Sequence, residues 1–514
     1  MNGVQLLLIV GAGIAVSAIA RRRGLESGLV IVVLAAGASF IPQMPRLELE
    51  PELILAIVIP PLLYSATRGA SFSAFGANLS SITTLGITLV LLTTGALGVI
   101  STWILPSIGA AACFVLGAVL APPDTITIVS HGDELGLPKR ITSTLTGESL
   151  VNDATALTLF AIAVAAVNGN HTGWAAGTLE FFKNALLGIL IGAVMAVIVL
   201  WIRPRLGNAT LETSLVLLLP FTAFLAAEQA HVSGILAVVT AAFSVSVNLS
   251  LDPKHQYPGA YRTRLQEDAF WPVLDFLLET FVFAYIGLQL KFVLEEVFRE
   301  EHLTRTLVAS GVLLVAAILI RMAGVYVLFG RRVLQWRLVG WRLTRNPQLR
   351  EQWEKQMANA GKRARNYSPP THKEIVLVGW TGMRGILTLA AAAAVPEFTD
   401  DHRPFPGRPE IQAIALFVTL GTLLIQGTTV KALARRLRFD LTADRAEEEA
   451  MREDAARTIA DAAAEPAADV DDGFEKQRLA LGVAVRDRRL TEAIARELIE
   501  DIDLRQAARH TGDS

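Results

Sequence analysis

Apolar residues run in long blocks along the first 430 positions of the chain, and charged residues bound each block. A helix needs about 20 apolar residues to cross the hydrocarbon core of a bilayer. Thirteen blocks of roughly that length predict an all-α polytopic membrane protein whose two termini lie on opposite sides. The predicted spans cover residues 4–20, 27–42, 52–67, 81–105, 109–130, 141–167, 180–200, 211–228, 232–249, 269–290, 306–330, 374–396 and 411–430.

Lys and Arg are unevenly divided between alternate loops, and this division predicts the orientation. The loops after odd-numbered spans, with residues 431–438, hold 26 basic residues, whereas the opposite loops hold 7. Basic loops favour the cytoplasm, so we expect the N-terminus outside and the C-terminus inside. The three arginines at 21–23 follow the first apolar block, which indicates a retained span because signal peptides carry their positive charges before it.

Composition agrees with a membrane protein: 18% of residues are charged and the mean hydropathy is +0.45, whereas soluble domains carry about 25% charge. A disulfide scaffold is excluded because the single cysteine, Cys113, has no partner. With 46 basic and 48 acidic residues there is no basic excess, so no nucleic-acid partner is expected. No cofactor is expected either.

Charge also divides the chain into a transmembrane domain, residues 1–438, and a cytoplasmic acidic helical tail, residues 439–514. Residues 440–514 hold 20 acidic and 11 basic residues. Apolar residues recur every four positions from Leu490 to Ile502, which predicts a helix, and residues 463–473 are typical of a flexible joint. We expect the tail to contact a partner subunit or to regulate the membrane domain.

Seven ionisable residues lie well inside the predicted spans, whereas Glu180, Glu212 and Glu228 lie closer to span edges. A charge inside a span costs at least about 2.5 to 3.5 kcal/mol. Such charges persist where they are paired or line a polar path. Five of the seven are acids, which points to cation binding. The seven are Asp124, Glu148, Asp153, Asp275, Glu279, Arg321 and Arg384.

The densest polar cluster lies at residues 147–156. On a helix Ser149 and Asp153 share one face, and Glu148 and Asn152 share the adjoining stripe. Hard oxygen ligands without Cys or His suit Na⁺, Li⁺ or K⁺, so Asp153 and Asp124 are the candidate ligands of a monovalent cation. A strip that only joins two helices by hydrogen bonds accounts for Ser149 and Asn152, but not for two acids.

Two spans carry helix-breaking residues. Pro122-Pro123 precedes Asp124 in span five, and three glycines between 379 and 385 flank Arg384 in span twelve. Unwound backbone at membrane depth lines cavities and holds ions, although a merely kinked helix is the alternative. Seven spans separate the breaks, as in an inverted repeat of spans one to six and eight to thirteen. Asp124 and Arg384 would neutralise opposite half-helix ends.

Arg321 needs a fixed partner inside span eleven. Glu148 is the first candidate, and pairing with Asp124 or snorkelling toward Arg331 are the alternatives. Asp275 and Glu279, four residues apart in span ten, form a second acidic face. An ion pair or a water-exposed mouth explains that face as well as direct ion binding does.

Together these motifs resemble the sodium/proton exchangers of the monovalent cation:proton antiporter-1 family over residues 1–438. The resemblance implies that Asp153 binds the ion and the proton beside Asn152, that Glu148 and Arg321 form a stabilising pair, and that crossing broken helices move against a dimerising panel. Pro123-Asp124-Thr125 stands where the family reads threonine-aspartate-proline. The motifs are Gly147-Glu148-Ser149 with Asn152-Asp153, Pro60-Pro61-Leu62-Leu63-Tyr64, His231-Val232-Ser233-Gly234, Ile286-Gly287-Leu288-Gln289, Arg321 with Val325-Tyr326, and Gly382-Met383-Arg384-Gly385 with Leu389-Ala390.

The expected function is therefore transport at the cell membrane and not enzymatic catalysis. A monovalent cation, Na⁺ or alternatively Li⁺ or K⁺, and a proton compete for Asp153 in an electroneutral exchange by alternating access. We expect a homodimer, and contact of the basic 331–373 loop with membrane lipid or with the tail. The alternatives are a cation-coupled solute symporter, which needs a roomier and less acidic site, and an intramembrane aspartyl enzyme using Asp124 and Asp153.

Overall fold

The computed structural model describes residues 3–23, 27–42, 56–68, 71–125, 135–169, 174–251, 259–299, 303–345 and 370–512, with the single positions 132, 348 and 351. Helices dominate this part of the chain. The extended pairs within it are isolated bridges, one between Asp124 and Met383 and one between Phe398 and Pro404.

The helices of the N-terminal half are α1 (Gly3–Arg22), α2 (Ser27–Ala38), α3 (Ile59–Arg68), α4 (Phe72–Thr83), α5 (Val90–Ile104), α6 (Ala110–Leu120), α7 (Lys139–Val167), α8 (Trp174–Leu206) and α9 (Ala209–Gln229). The π-helical turn Thr84–Leu89 joins α4 to α5, and a short 3₁₀ turn, Pro106–Ile108, precedes α6.

The helices that follow are α10 (Gly234–Leu251), α11 (Ala260–Arg299), α12 (Leu303–Arg345), α13 (His372–Trp380), α14 (Ile386–Ala393), α15 (Arg408–Thr422), α16 (Thr428–Leu437), α17 (Thr442–Ala464), α18 (Val470–Arg486) and α19 (Glu492–Gly512). A second π-helical turn, Leu423–Gly427, joins α15 to α16.

Within the described residues, seven helical stretches are long and apolar enough to cross a membrane, and three shorter apolar helices accompany them. The all-helical, multi-span class expected from the apolar blocks is thus confirmed. The count of thirteen spans, the inverted repeat and the orientation of the termini stay predictions. The long stretches are Asn78–Ile104, Lys139–Val167, Lys183–Leu206, Ala209–Gln229, Ala260–Glu295, Leu303–Trp336 and Arg408–Leu437.

Contacts between residues divide the chain into two units. The first comprises Met1–Pro51, Ala74–His171 and Val282–Phe439, and the second comprises Glu52–Ser73, Thr172–Phe281 and Asp440–Ser514. The division into a membrane domain ending at residue 438 and a tail beginning at 439 stays a prediction.

The core of the first unit surrounds the interrupted span near residue 383. Buried apolar side chains from the first π-helical turn, α7, α12 and α13 pack together there. Glycines allow the closest approaches: a Cβ on Gly86 would lie 2.7 Å from Val151 Cβ, and one on Gly117 would lie 2.5 Å from the Thr94 carbonyl oxygen. The π-helical turn therefore packs directly on α7, and α5 packs on α6.

A helix ends at each of the two sequence-predicted breaks. α6 ends at Leu120, directly before Ala121-Pro122-Pro123, because proline cannot donate the backbone hydrogen bond that a helix interior needs. The other span is split into α13 and α14, with Thr381–Gly385 between them. A capping box starts α13: the Thr371 hydroxyl accepts from the Glu374 amide, and the Glu374 carboxylate accepts from the Thr371 amide.

The tail forms a three-helix bundle within the second unit. Its apolar core takes side chains from α17, α18 and α19, including Phe474, Leu481 and Ile494. The helix predicted from the four-residue repeat corresponds to α19, which begins at Glu492, two residues after Leu490, and continues to Gly512. The joint predicted at 463–473 is shorter, because α17 ends at Ala464 and α18 begins at Val470.

Candidate ion-binding site

The two interrupted spans meet through their backbones. The Asp124 amide donates to the Met383 carbonyl at 2.6 Å, so the unwound segment after α6 pairs with the unwound segment between α13 and α14. Gly385 permits this approach, because a Cβ at that position would overlap the Asp124 carboxylate. The meeting point therefore brings a carboxylate beside the start of α14, where helix dipoles favour negative charge.

Arg384 occupies the carbonyl ends of the same two broken spans and is 1% exposed. Its Nε donates to the Leu120 carbonyl at 2.9 Å, its Nη1 donates to the Gly382 carbonyl, and its backbone amide donates to Thr422 Oγ1 at 3.0 Å. Leu120 is the last residue of α6, where carbonyls lack intrahelical partners. A cation at this end offsets the negative pole of the half-helix.

Asn152 ties α7 to the unwound segment of span five. Its Nδ2 donates to the Pro123 carbonyl at 2.9 Å, and the side chain is fully buried. Two turns earlier on α7, the Leu145 carbonyl accepts from Thr125 Oγ1 at 3.0 Å. Among the described residues, Asn152 Oδ1 has no hydrogen-bond partner. That neutral oxygen is a ligand type that alkali cations accept.

Asp153 follows Asn152 on α7 and is half-buried. Its carboxylate is near enough to the carboxylate of Asp124 for the two to interact electrostatically. Ser149, one turn earlier on the same helix, is buried. The described part of the chain contains no group of three or more His, Cys, Asp or Glu side chains suited to holding a metal. The oxygen groups at the crossing are therefore two carboxylates with neutral neighbours.

Glu148 and Arg321 form a buried, bidentate ion pair. Nη1 of the arginine lies 2.6 Å from Oε1, and Nη2 lies 3.2 Å from Oε2. Nη2 also donates to the Val378 carbonyl at 3.1 Å, so one side chain on α12 holds both α7 and α13. Gly382 leaves room for it, because a Cβ there would overlap Arg321 Cδ.

Asp275 and Glu279, the second predicted acidic face, belong to the second unit. Both are half-buried on α11, and the Ser65 hydroxyl of α3 donates to the Asp275 carboxylate. Glu148, Arg321, Asp124 and Arg384 all lie in the first unit.

Sequence reasoning missed two groups of polar residues. Gln426 and Thr422 on span thirteen are fully buried and bond the unwound segment of span twelve; a single amide within the run Leu423–Gly427 was the available signal. In the second unit Arg203 lies 3.4 Å from Glu212 and 3.0 Å from Glu267, all three almost completely buried. Those charges sit at span ends, where they looked like ordinary loop residues.

The family model described as "Sodium/hydrogen exchanger, transmembrane" matches residues 6–436, most of the chain. The chain belongs to this family. Among relatives of this exchanger, an uncharacterised Na⁺/H⁺ exchanger of Mycobacterium tuberculosis H37Rv is 29% identical over 446 residues, covering 85% of this chain and 74% of the relative. An uncharacterised Na⁺/H⁺ exchanger of Escherichia coli K12 is 32% identical over 388 residues, covering 74% of this chain and 66% of the relative.

A relative whose name covers four alkali cations is the sodium, potassium, lithium and rubidium/H⁺ antiporter of Bacillus subtilis 168. It is 28% identical over 405 residues, covering 77% of this exchanger and 56% of the relative. The solved structure of the sodium proton antiporter MjNhaP1 from Methanocaldococcus jannaschii shares the fold, with a TM-score of 0.60 at 16% identity. The match covers 84% of this exchanger and 97% of the MjNhaP1 chain. The exchanger is thus a multi-span membrane cation/proton antiporter and not an enzyme.

Proposed function

We propose that this exchanger carries Na⁺ in one direction and one proton in the other, with Li⁺ and K⁺ as further substrates. The relatives named Na⁺/H⁺ exchangers and the relative named for four alkali cations support this substrate class. The observation that carries the proposal is the electrostatic contact of Asp153 with Asp124 where two unwound segments meet.

Competition for Asp153 is the proposed coupling step. Two neighbouring carboxylates at membrane depth repel each other, so binding either a proton or a cation at Asp153 lowers the free energy of the site. The empty, doubly charged site is costly to carry through the membrane, which suppresses movement without a substrate. Exchange then follows, because the site moves across the membrane only when Asp153 holds either a proton or a cation.

Neutral oxygens complete the proposed cation site. Ser149 lies on the face of Asp153, and the free oxygen of Asn152 lies beside the Pro123 carbonyl that its amide nitrogen holds. Na⁺ prefers several hard oxygen ligands. Asp124 and Asp153 supply the charge, and these neutral groups replace part of the hydration shell.

Glu148, Arg321 and Arg384 are proposed to hold the frame in which that exchange occurs. Glu148 and Arg321 are paired with each other, and their contacts join α7, α12 and α13, so these two charges are not available to bind a substrate. Arg384 offsets the carbonyl ends that the two breaks expose. Because the Glu148–Arg321 pair and Arg384 keep their partners, Asp153 is the carboxylate that changes its ligand.

Alternating access is proposed to move the broken-helix core against a panel that forms a homodimer, with the N-terminus outside. Discontinuous helices near the midplane are typical of transporters that work this way. α12 also supports contact with lipid headgroups, because it continues past the apolar stretch ending at Trp336 to Arg345, whose guanidinium lies 4.0 Å from the Trp341 ring centroid.

Proton flux in proteoliposomes tests the function. Purified exchanger is reconstituted with the pH dye pyranine inside, and Na⁺, Li⁺, K⁺ and choline are added outside in turn. We expect alkali cations but not choline to drive proton flux, Asp153→Asn to abolish it, and the exposed-loop control Asp401→Asn to preserve it. Near-normal Na⁺-driven flux through folded Asp153→Asn protein would exclude Asp153 as the exchanging carboxylate.

A further inference from the structure

The last membrane helix contains a π-helical turn opposite the break in span twelve. α15 ends at Thr422, the π-helical turn covers Leu423–Gly427, and α16 begins at Thr428. A π-helical turn widens the hydrogen-bond spacing by one residue and shifts the following side chains around the helix; such turns are frequent at functional sites.

Side chains around this turn satisfy the backbone of the unwound segment. Gln426 Nε2 donates to the Trp380 carbonyl at 2.8 Å, and Thr422 Oγ1 accepts from the Arg384 amide at 3.0 Å. Trp380 is the last residue of α13, so its carbonyl lacks an intrahelical donor. The Trp380 ring nitrogen donates in turn to Thr429 Oγ1 at 3.0 Å. Both ends of the break are thereby held by span thirteen.

Met383 connects these contacts between spans twelve and thirteen to the candidate ion site. Its carbonyl accepts the Asp124 amide on one side. On the other side it lies against Gly427, where an added Cβ would be 3.2 Å from Met383 Sδ. A shift of the π-helical turn therefore reaches the Asp124 backbone through one intervening residue.

We propose that Gln426 is a positioning residue for cation exchange, holding the unwound Thr381–Gly385 segment in the register that pairs Met383 with Asp124. Its side chain is fully buried, and among the described residues its Oε1 has no hydrogen-bond partner. An amide is an expensive choice at such a position, and an apolar side chain would fill the same volume at lower cost. What only the amide supplies is the hydrogen bond to Trp380.

This inference rests on the proposed exchange at Asp153. Gln426 acts through the backbone of Met383 and does not need to touch the ion. Its loss is expected to weaken apparent cation affinity while leaving the maximal rate largely intact, because the exchanging carboxylate remains. Loss of Asp153 instead abolishes exchange at every cation concentration. A failure of the Gln426 proposal and a failure of the Asp153 proposal therefore give different results.

The test compares Gln426→Met, which keeps the volume but removes the donor, with Gln426→Glu, whose neutral carboxylic acid still donates and whose carboxylate does not. Gln412→Met is the matched control: Gln412 lies on α15 in the same span and donates to the Ala392 carbonyl at 3.4 Å, away from the break. Each variant is checked by size-exclusion chromatography, and the rate of proton flux is measured against Na⁺ concentration from acid to alkaline pH.

We expect Gln426→Met to raise the half-saturating Na⁺ concentration about tenfold, as for the loss of one buried hydrogen bond, with little change in maximal rate. Gln426→Glu should match the wild type at acid pH and approach Gln426→Met at alkaline pH. Gln412→Met should match the wild type throughout. A Gln426→Met curve that superimposes on that of Gln412→Met, or a lowered maximal rate at unchanged half-saturation, overturns the proposal. If Gln426→Met does not fold, a pH profile of Gln426→Glu identical to the wild type overturns it equally.

Discussion

Arg321 and Glu148 lie 173 positions apart in the chain, yet their side chains form a two-pronged ion pair with N–O distances of 2.6 and 3.2 Å. Both are almost completely shielded from solvent. A buried pair contributes little net stability, but removing one partner leaves an uncompensated charge, which costs about 3 to 5 kcal/mol. The pair therefore joins α7 to α12, and removing either partner alone destabilises the protein.

Glu148→Gln should consequently destabilise the protein by about 3 kcal/mol, because Arg321 is left charged and buried. The double variant Glu148→Gln/Arg321→Gln should recover much of that loss, since no charge remains. Thermal unfolding in detergent measures both. Glu453→Gln removes an exposed ion pair with Arg457 and should leave the melting temperature unchanged. A single variant as stable as the wild type would contradict the assignment.

Gly385→Ala should abolish or severely slow exchange while the protein still assembles in the membrane. The added methyl group overlaps the Asp124 carboxylate and must displace it. Displacement of a reacting group by about 1 Å costs on the order of 100-fold in rate. Gly95→Ala is the control, because nothing lies within 4 Å of its added Cβ. Proton flux of Gly385→Ala equal to that of Gly95→Ala would show that the carboxylate position is not critical.

Much of this site is visible in the sequence because membrane depth makes polar residues conspicuous. Asp124 beside two prolines, Arg384 among glycines, the polar cluster that contains Glu148, and Arg321 alone in an apolar span all stand out against their neighbours. The pairing of Glu148 with Arg321 was the first of three options, and the structure provides it. Charged residues and helix-breaking residues can be recognised in the local sequence, so these parts of the site are predictable without the structure.

Other features depend on distant contacts. The run Leu423–Gly427 has no local reason to adopt π-helical geometry, and its partner Trp380 lies more than 40 residues earlier. α12 was expected to end near residue 330 but continues to Arg345, since the arginines that mark a membrane boundary do not interrupt a helix. The tail holds 20 acids, and pattern alone does not select which of them meets the membrane domain.

The structure selects Asp503 for that role, and Asp503→Asn should release the tail. Arg264 donates to both Asp503 oxygens, at 2.7 and 2.8 Å, and Arg478 donates to one at 2.9 Å. Asp503 is 1% exposed, so the substitution leaves two arginines without their shared counter-ion. We expect trypsin to cleave the tail about tenfold faster or more.

Glu497→Gln is the matched control for tail release. Glu497 lies on α19, as Asp503 does, and the substitution removes its exposed pair with Arg452 of α17. Such surface pairs contribute about 0 to 1 kcal/mol. Its cleavage rate should equal that of the wild type. Equal protection of the Asp503→Asn tail would show that other contacts, such as those of Arg496 with the Arg68 carbonyl and Ser246, suffice to hold it.

Exchange should be independent of membrane potential. Asn152 is an amide whose nitrogen is engaged with Pro123, so Asp153 is the one carboxylate of the pair that takes a ligand, and one positive charge replaces another. Moving a net charge would add about 2.3 kcal/mol per 100 mV to the driving force. A thiocyanate gradient sets the potential without adding a competing cation, and a voltage-sensitive dye verifies it. Proton flux should vanish when the Na⁺ and proton gradients are equal, with or without the potential. A balance point that moves with voltage would mean that the numbers of protons and cations exchanged in one cycle are unequal.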